Sequence, residues 1–298
     1  MKIIKVKYAD WWKGFQPEKL HIHRILNKHF QVEFSDNPDY VIASVFGFEA
    51  KKYDCVRILY TGENRCPDFY YYDYGIGFEF LEFGDRYIRI PNFIMNPGYQ
   101  AEIDAALKKH TAASEALRKK KSFCSFVVSN GNAAPIREKM FLELSKYKLV
   151  HSGGKFLNNI GLPDGLPRGM QNKCEFQSQH KFSIVFENAS HPGYLTEKLL
   201  GGFAASTVPI YWGDPRAREC FNEKAFIQVL DDNLEEAIER VKRADMDDEL
   251  YLSYLQTPAF KDSEYREKKL NELEAFLVHI FSQPLEKAYR RNAVKPLF

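Results

Sequence analysis

A chain of 298 residues, 45% hydrophobic and 28% charged, is a folded globular protein with room for two domains of ordinary size. With 42 Lys and Arg against 40 Asp and Glu the net charge is +2, too small to argue for nucleic acid or an anionic membrane as a partner. Cys55, Cys66, Cys124, Cys174 and Cys220 are an odd, scattered set without a C-x-x-C pair, which reads as buried free thiols of a reducing compartment and not as a disulfide framework or zinc site.

Ile3 to Tyr8 alternates apolar and basic residues and predicts a first strand, and Pro17 opens a helix running to about His29. His21, His23 and His29 lack ligand spacing along one helix and read as surface histidines. Tyr40–Phe46 and Val56–Tyr60 are apolar strands, and strands alternating with helices predict a parallel sheet. Thr61-Gly62-Glu63-Asn64 follows, putting the Glu63 carboxylate at the carboxyl edge of such a sheet, either as a general base or as an ordinary turn residue. The aromatic cluster Phe69–Tyr74 reads equally as the lining of a groove or as a packed strand. Asp85–Ile90 is a further strand, and residues 97–121 are helical, ending in the basic run Arg118–Lys121, where the domain boundary is expected.

Phe123–Val128 opens the second half as a buried strand. Its loop, Ser129-Asn-Gly-Asn-Ala-Ala, contains Asn130 and leads through Pro135 into a helix with Arg137 in the first turn. Small residues admit a ligand to the backbone and Arg clamps phosphate with two parallel hydrogen bonds, although the segment alone also fits a plain strand-to-helix turn. Asn158 to Met170 is a Gly/Pro-rich loop for which a lid is one reading. Phe182–Phe186 is a buried strand ending at Glu187 and Asn188; a polar turn containing Tyr194 follows, then Thr196 as N-cap and a helix beginning Glu197-Lys198. Val208–Trp212 and Gly213 complete a βαβ unit. The helix N-terminus with Lys198 suits phosphate, while Tyr194, Glu187 and Glu197 suit ribose or sugar hydroxyls. Beyond it lie a strand at Phe226–Leu230 and a helix after Asp231-Asp232-Asn233. These acidic pairs, like Asp247-Asp248, read as helix caps and not as metal ligands, so no essential metal is expected. Lys268 to about Ser282 is an amphipathic helix, followed by a basic tail to Lys295.

The pattern F-x-x-x-F-E-N-x…Y-x-T-E-K…V-P-I-Y-W-G, with Tyr60–Asn64 and Ser129–Arg137 in the same order, resembles the α-1,3/4-fucosyltransferases, bacterial enzymes in particular. The resemblance implies a GT-B fold, α/β with two Rossmann-like domains facing each other across a cleft. The expected division is an acceptor-binding domain over 1–120, a GDP-fucose-binding domain over 121–265, and a C-terminal helix that packs back plus tail over 266–298. It implies inverting transfer of fucose from GDP-fucose to the GlcNAc of an N-acetyllactosamine-type acceptor, giving a Lewis X-type product on bacterial surface lipopolysaccharide. Glu63 is then the base. Arg137 and Lys198 face the diphosphate, and Tyr194, Glu187, Asn188, Glu197, Asn130 and Thr196 orient the donor. GDP-fucose is a substrate, no cofactor is implied and nucleic acid is not a partner. No apolar run reaches the length of a membrane helix and the start MKIIKVKYADWW has no signal h-region, so the expected location is cytoplasmic. Peripheral contact with the inner face of the membrane is assigned to the basic tail. Two alternatives remain open, another GT-B nucleotide-sugar transferase and a non-catalytic carbohydrate-binding protein.

Overall fold

The computed structural model describes residues 1–291. The chain divides into two compact units, one formed by Met1–Gly98 with the segment from Arg266 onward, the other by Tyr99–Tyr265. The first division thus falls at Gly98, ahead of the Arg118–Lys121 run that the sequence suggested. The helix Gln100–Lys108 lies against the helix Glu197–Ala204, and the buried Lys109 ammonium donates to the carbonyls of Tyr254, Leu255 and Thr257 at 2.7–3.0 Å. Both contacts hold this helical stretch in the second unit, and within the basic run itself the Lys120 ammonium donates to the Ser178 carbonyl at 2.9 Å, so the run belongs to that unit and not to a linker.

The first unit is built on β1 (Ile3–Ala9), β2 (Gln31–Phe34), β3 (Tyr40–Ala43), β4 (Val56–Tyr60), β5 (Tyr74–Gly77) and β6 (Tyr87–Arg89). All pairings are parallel in the order β2-β1-β3-β4-β5-β6, so the order reverses between β1 and β3. Every residue of β3 and β5 is buried, as expected of parallel strands covered on both faces. The edge strand β2, Gln-Val-Glu-Phe, is largely exposed and has no apolar run to announce it. The helix expected from Pro17 is a 3-10 turn, Pro17–Lys19, followed by the helix His21–His29. His23 is not a surface residue. It is 5% exposed, shares a 3.1 Å hydrogen bond with the Tyr8 hydroxyl and stacks on Phe34.

The aromatic cluster resolves mainly as packing, since Tyr72 and Tyr74 are buried, Lys51 covers the Tyr71 ring at 3.4 Å, and Tyr70 stands in solvent. Asp73 within it anchors the chain's far end. Its carboxylate accepts the backbone N–H groups of Arg57, Arg290 and Arg291 and pairs with the Arg291 guanidinium at 2.9 Å. Arg290 pairs with Asp85 at 2.7 Å. Two of the charges assigned to a membrane are therefore engaged inside the protein; residues 292–298 of that tail lie outside the described residues. Among the described residues no helix is long and apolar enough to cross a membrane.

The second unit carries β7 (Ser122–Phe126), β8 (Val150–Ser152), β9 (His180–Ile184), β10 (Val208–Tyr211) and β11 (Ile227–Gln228). These too are all parallel, in the order β11-β10-β9-β7-β8, with the reversal between β7 and β9. Short β8 and the helix Met170–Ser178 were not expected. β8 is fixed by the Asn159 side chain, which bonds to Ser152 N–H and Val150 C=O, and the helix buries too little for an apolar stripe. Asp247 caps its helix as expected, whereas Asp231 accepts a 2.7 Å bond from the Trp212 indole instead. All five cysteines are free; Cys55, Cys124 and Cys220 are buried, but Cys66 is exposed and Cys174 half-buried.

Candidate active site

In open parallel sheets, ligands bind at the carboxyl ends of the strands where the strand order reverses. In the second unit that point lies between the loops leaving β7 and β9. The two loops are tied by Ala134 N–H, which donates to Asn188 C=O at 3.3 Å. Asn130 is exposed and forms a local turn, accepting from Asn132 N–H at 2.9 Å. Pro135, helical at φ −57°, leads into the helix Ile136–Tyr147 and sets Arg137 in its first turn. Arg137 is 4% exposed and donates from Nη1 to Asn188 Oδ1 at 3.0 Å. Its Nε is buried without a hydrogen-bond partner, and among the described residues no carboxylate forms an ion pair with it. Burial pushes its pKa down, opposed by the more distant Glu187 charge. A buried guanidinium with an idle donor is costly unless an anion completes it.

Beyond β9 the backbone still bonds to the neighbouring strand, Val185 N–H to Ile210 C=O and Glu187 N–H to Trp212 C=O, so Glu187 is fixed at the sheet's carboxyl edge. Its side chain is 0% exposed in the structure. The carboxylate accepts from Thr196 N–H at 2.9 Å, from the Thr196 hydroxyl at 2.7–2.8 Å and from the Lys198 ammonium at 2.8 Å. Thr196 occupies the N-cap position of the helix Glu197–Ala204, but its hydroxyl serves Glu187 and makes no cap bond. Glu187 therefore aims Lys198 and the helix start at the ligand side, with its own oxygens filled. Lys198 also approaches Glu197 at 3.5 Å. Burial alone raises the Glu197 carboxyl, yet Lys198 and then Lys173 bring it down to about 2. Lys173 lies on the helix Met170–Ser178 and was missed because the sequence reading assigned no element between the loop ending at Met170 and the strand at Phe182; burial lowers its pKa, with Glu197 acting against the shift. Tyr194 is buried in the turn before Thr196.

Gly213 closes the site from β10. Its φ is +153°, and a Cβ there would lie 2.4 Å from Glu187 Cγ. Gly213→Ala should therefore lower stability by about 1–3 kcal/mol, as expected of overpacking at a strained position. Thermal melting reads this directly, and an unchanged midpoint would mean that Glu187 can move aside.

Glu63 belongs to the first unit, on the loop leaving β4. Its side chain is exposed and, among the described residues, has no hydrogen bond or ion pair. Its backbone carbonyl accepts from the Thr61 hydroxyl at 2.8 Å. Asn92 fixes the same loop, donating to Gly62 C=O and accepting from the Tyr60 hydroxyl, both at 3.0 Å. The structure thus brings Arg137, Asn188, Glu187, Thr196, Lys198 and Glu197 together at one switch point and presents Glu63 on the other unit.

Residues 6–96 match the α-(1,3)-fucosyltransferase FucT N-terminal domain and residues 117–291 the glycosyltransferase family 10 (fucosyltransferase) C-terminal model. The chain is 34% identical over 292 residues to α-(1,3)-fucosyltransferase FucT of Helicobacter pylori, covering 85% of this chain and 59% of that protein's length. It is 35% identical over 143 residues to the bovine 4-galactosyl-N-acetylglucosaminide 3-α-L-fucosyltransferase 9, 47% of this chain and 38% of the relative. Among solved structures, an α1,3-fucosyltransferase crystallised with GDP-fucose superposes with a TM-score of 0.75 at 28% identity, over 93% of this chain and 91% of that one.

Proposed function

Because the chain belongs to glycosyltransferase family 10 (fucosyltransferase) and has the α/β fold class called GT-B, we propose that it is an inverting α-1,3-fucosyltransferase. It moves fucose from GDP-fucose to the GlcNAc of N-acetyllactosamine-type glycans, giving a Lewis X-type product, with bacterial surface lipopolysaccharide as the carrier. The observation that carries this reading is Arg137, a buried cation with an unfilled N–H at a strand-order reversal, beside the helix start that holds Lys198. Such a site suits a nucleoside diphosphate, and the structural relative crystallised with GDP-fucose supports that identity. The acceptor is inferred from the bovine relative, whose name gives a 4-galactosyl-N-acetylglucosaminide as the group it fucosylates.

In the reaction the acceptor hydroxyl oxygen bonds to C1 of fucose while the bond from C1 to the β-phosphate oxygen breaks. The hydroxyl proton passes to Glu63 and the electron pair leaves with GDP. Inversion follows from direct displacement on the face opposite the leaving group. Arg137 and Lys198 balance the charge that grows on the departing diphosphate, and Glu197, held ionised, faces the positive character developing on the sugar. Because fixed cations supply this balance, transfer is expected to persist in EDTA.

The test is incubation of GDP-fucose with N-acetyllactosamine and, separately, with its β-1,3-linked isomer. Fucosylated product from N-acetyllactosamine alone supports the proposal. Product only from the isomer, or from neither while GDP-fucose still binds, overturns the acceptor assignment.

A further inference from the structure

The first unit has its own switch point, between β1 and β3, and no candidate residue from the sequence lies on it. Asp10, the first residue past β1, stands at φ +61°, a left-handed conformation that residues other than glycine rarely adopt. Contacts with the loop after β3 hold it there. Asp10 C=O accepts from Phe46 N–H at 2.9 Å, and its carboxylate accepts from Glu49 N–H at 2.7 Å and Ala50 N–H at 2.9 Å. Gly47 packs so closely on this carboxylate that a Cβ would sit 2.4 Å from Oδ1. The two loops are therefore locked together at a backbone cost.

What they present is aromatic. Trp11 is the backing, stacked between Phe15 at 4.0 Å and Tyr60 at 5.4 Å, with its indole N–H donating to Ile42 C=O at 2.9 Å. Trp12 and Phe46 meet edge to face at 6.2 Å and are left 45% and 53% exposed, with Phe48 beside them in sequence at 74%. Large apolar rings clustered in solvent on a strained, fixed scaffold mark a binding surface. The backing continues into the loop of the candidate base, because Tyr60, stacked on Trp11, is held through its hydroxyl by Asn92, which also holds Gly62.

We propose that Trp12 and Phe46 form a platform for the acceptor sugar, positioning its hydroxyl for Glu63. A pyranose ring has one face of C–H groups whose weak positive charge complements the negative face of an indole or phenyl ring. The ring faces themselves are apolar, and of the charges flanking them in sequence Asp10 is filled by the Glu49 and Ala50 N–H groups and Lys51 is turned onto the Phe48 and Tyr71 rings, while Lys13, next to Trp12, is exposed. The inference rests on the fucosyltransferase reading for the identity of the sugar, but the platform can be tested separately.

Trp12→Ala should raise the KM for N-acetyllactosamine about tenfold, the scale of one lost ring contact, while the KM for GDP-fucose and the melting temperature stay unchanged. Trp12→Tyr should recover most of the loss, and Phe46→Ala should reproduce it in part. An unchanged acceptor KM in Trp12→Ala overturns the platform, as does a lost affinity for phosphatidylglycerol vesicles with acceptor KM intact, which would make the patch a membrane contact. If the wild-type protein transfers to no lactosamine acceptor, the substrate reading fails on its own. The platform is then read from the tryptophan fluorescence change on adding N-acetyllactosamine, expected in the wild type and absent from Trp12→Ala; no change in the wild type overturns it.

Discussion

Arg137→Met should lower turnover by about two to three orders of magnitude while leaving the unliganded protein no less stable. The two signs come from the same feature. In the folded protein the guanidinium is 4% exposed, engages Asn188 through one nitrogen and leaves Nε without a partner. Burying that charge opposes folding, and a flexible apolar side chain of similar reach removes the cost. In the reaction the same charge meets the diphosphate as it departs, where a cation is worth most because the negative charge is growing and water is excluded. Lysine should not substitute, since one ammonium cannot bridge Asn188 and a phosphate oxygen with fixed geometry. Single-turnover rates and thermal melting on the same preparations check both halves. A large loss of stability together with lost turnover would show that Arg137 is a structural residue, and the site would then rest on Lys198 alone. Lys198 is a different kind of cation, already matched by Glu187 at 2.8 Å, so removing either partner should destabilise the protein.

This difference between two cations of one site measures how far the sequence could be read. Strand identities were legible because a parallel sheet buried on both faces needs mostly apolar runs, and β3, β4, β7 and β10 have them, interrupted only by Arg57 in β4 and by Ser122 and Ser125 in β7. The candidate residues near the second switch point were legible because strand, polar loop and helix start follow one another along the chain. What was not legible was who serves whom. Glu187 and Thr196 both look like ligand contacts in sequence, yet each fills the other's hydrogen bonds, because a carboxylate at 0% exposure must be satisfied internally. The helix with Lys173 was hidden by its weak periodicity, and β2 by its exposure. The Trp12 platform was invisible for a different reason. Adjacent aromatic residues in sequence usually fill a core, and only the locked conformation of Asp10 reveals that one ring turns inward and the next outward.

Glu63→Gln should remove turnover by about two to four orders of magnitude with GDP-fucose affinity and stability intact. The substitution keeps the shape of the side chain and takes away only its capacity to accept a proton. Stability should not change because the carboxylate is exposed and, among the described residues, unpaired, while the loop itself is held through Thr61 and Asn92, which bond to backbone groups. Donor affinity should not change because the groups assigned to GDP-fucose belong to the other unit. The loss should therefore appear in kcat, with both KM values near those of the wild type. That split is the discriminating measurement. A residue that merely shaped the acceptor loop would raise the acceptor KM along with any fall in rate, and Glu63→Gln, which keeps the side chain's shape, would then cost little. If Glu63→Gln retains near-normal kcat, proton transfer belongs to another group; if kcat collapses with both KM values kept, the exposed carboxylate at the end of β4, unpaired among the described residues, is the base.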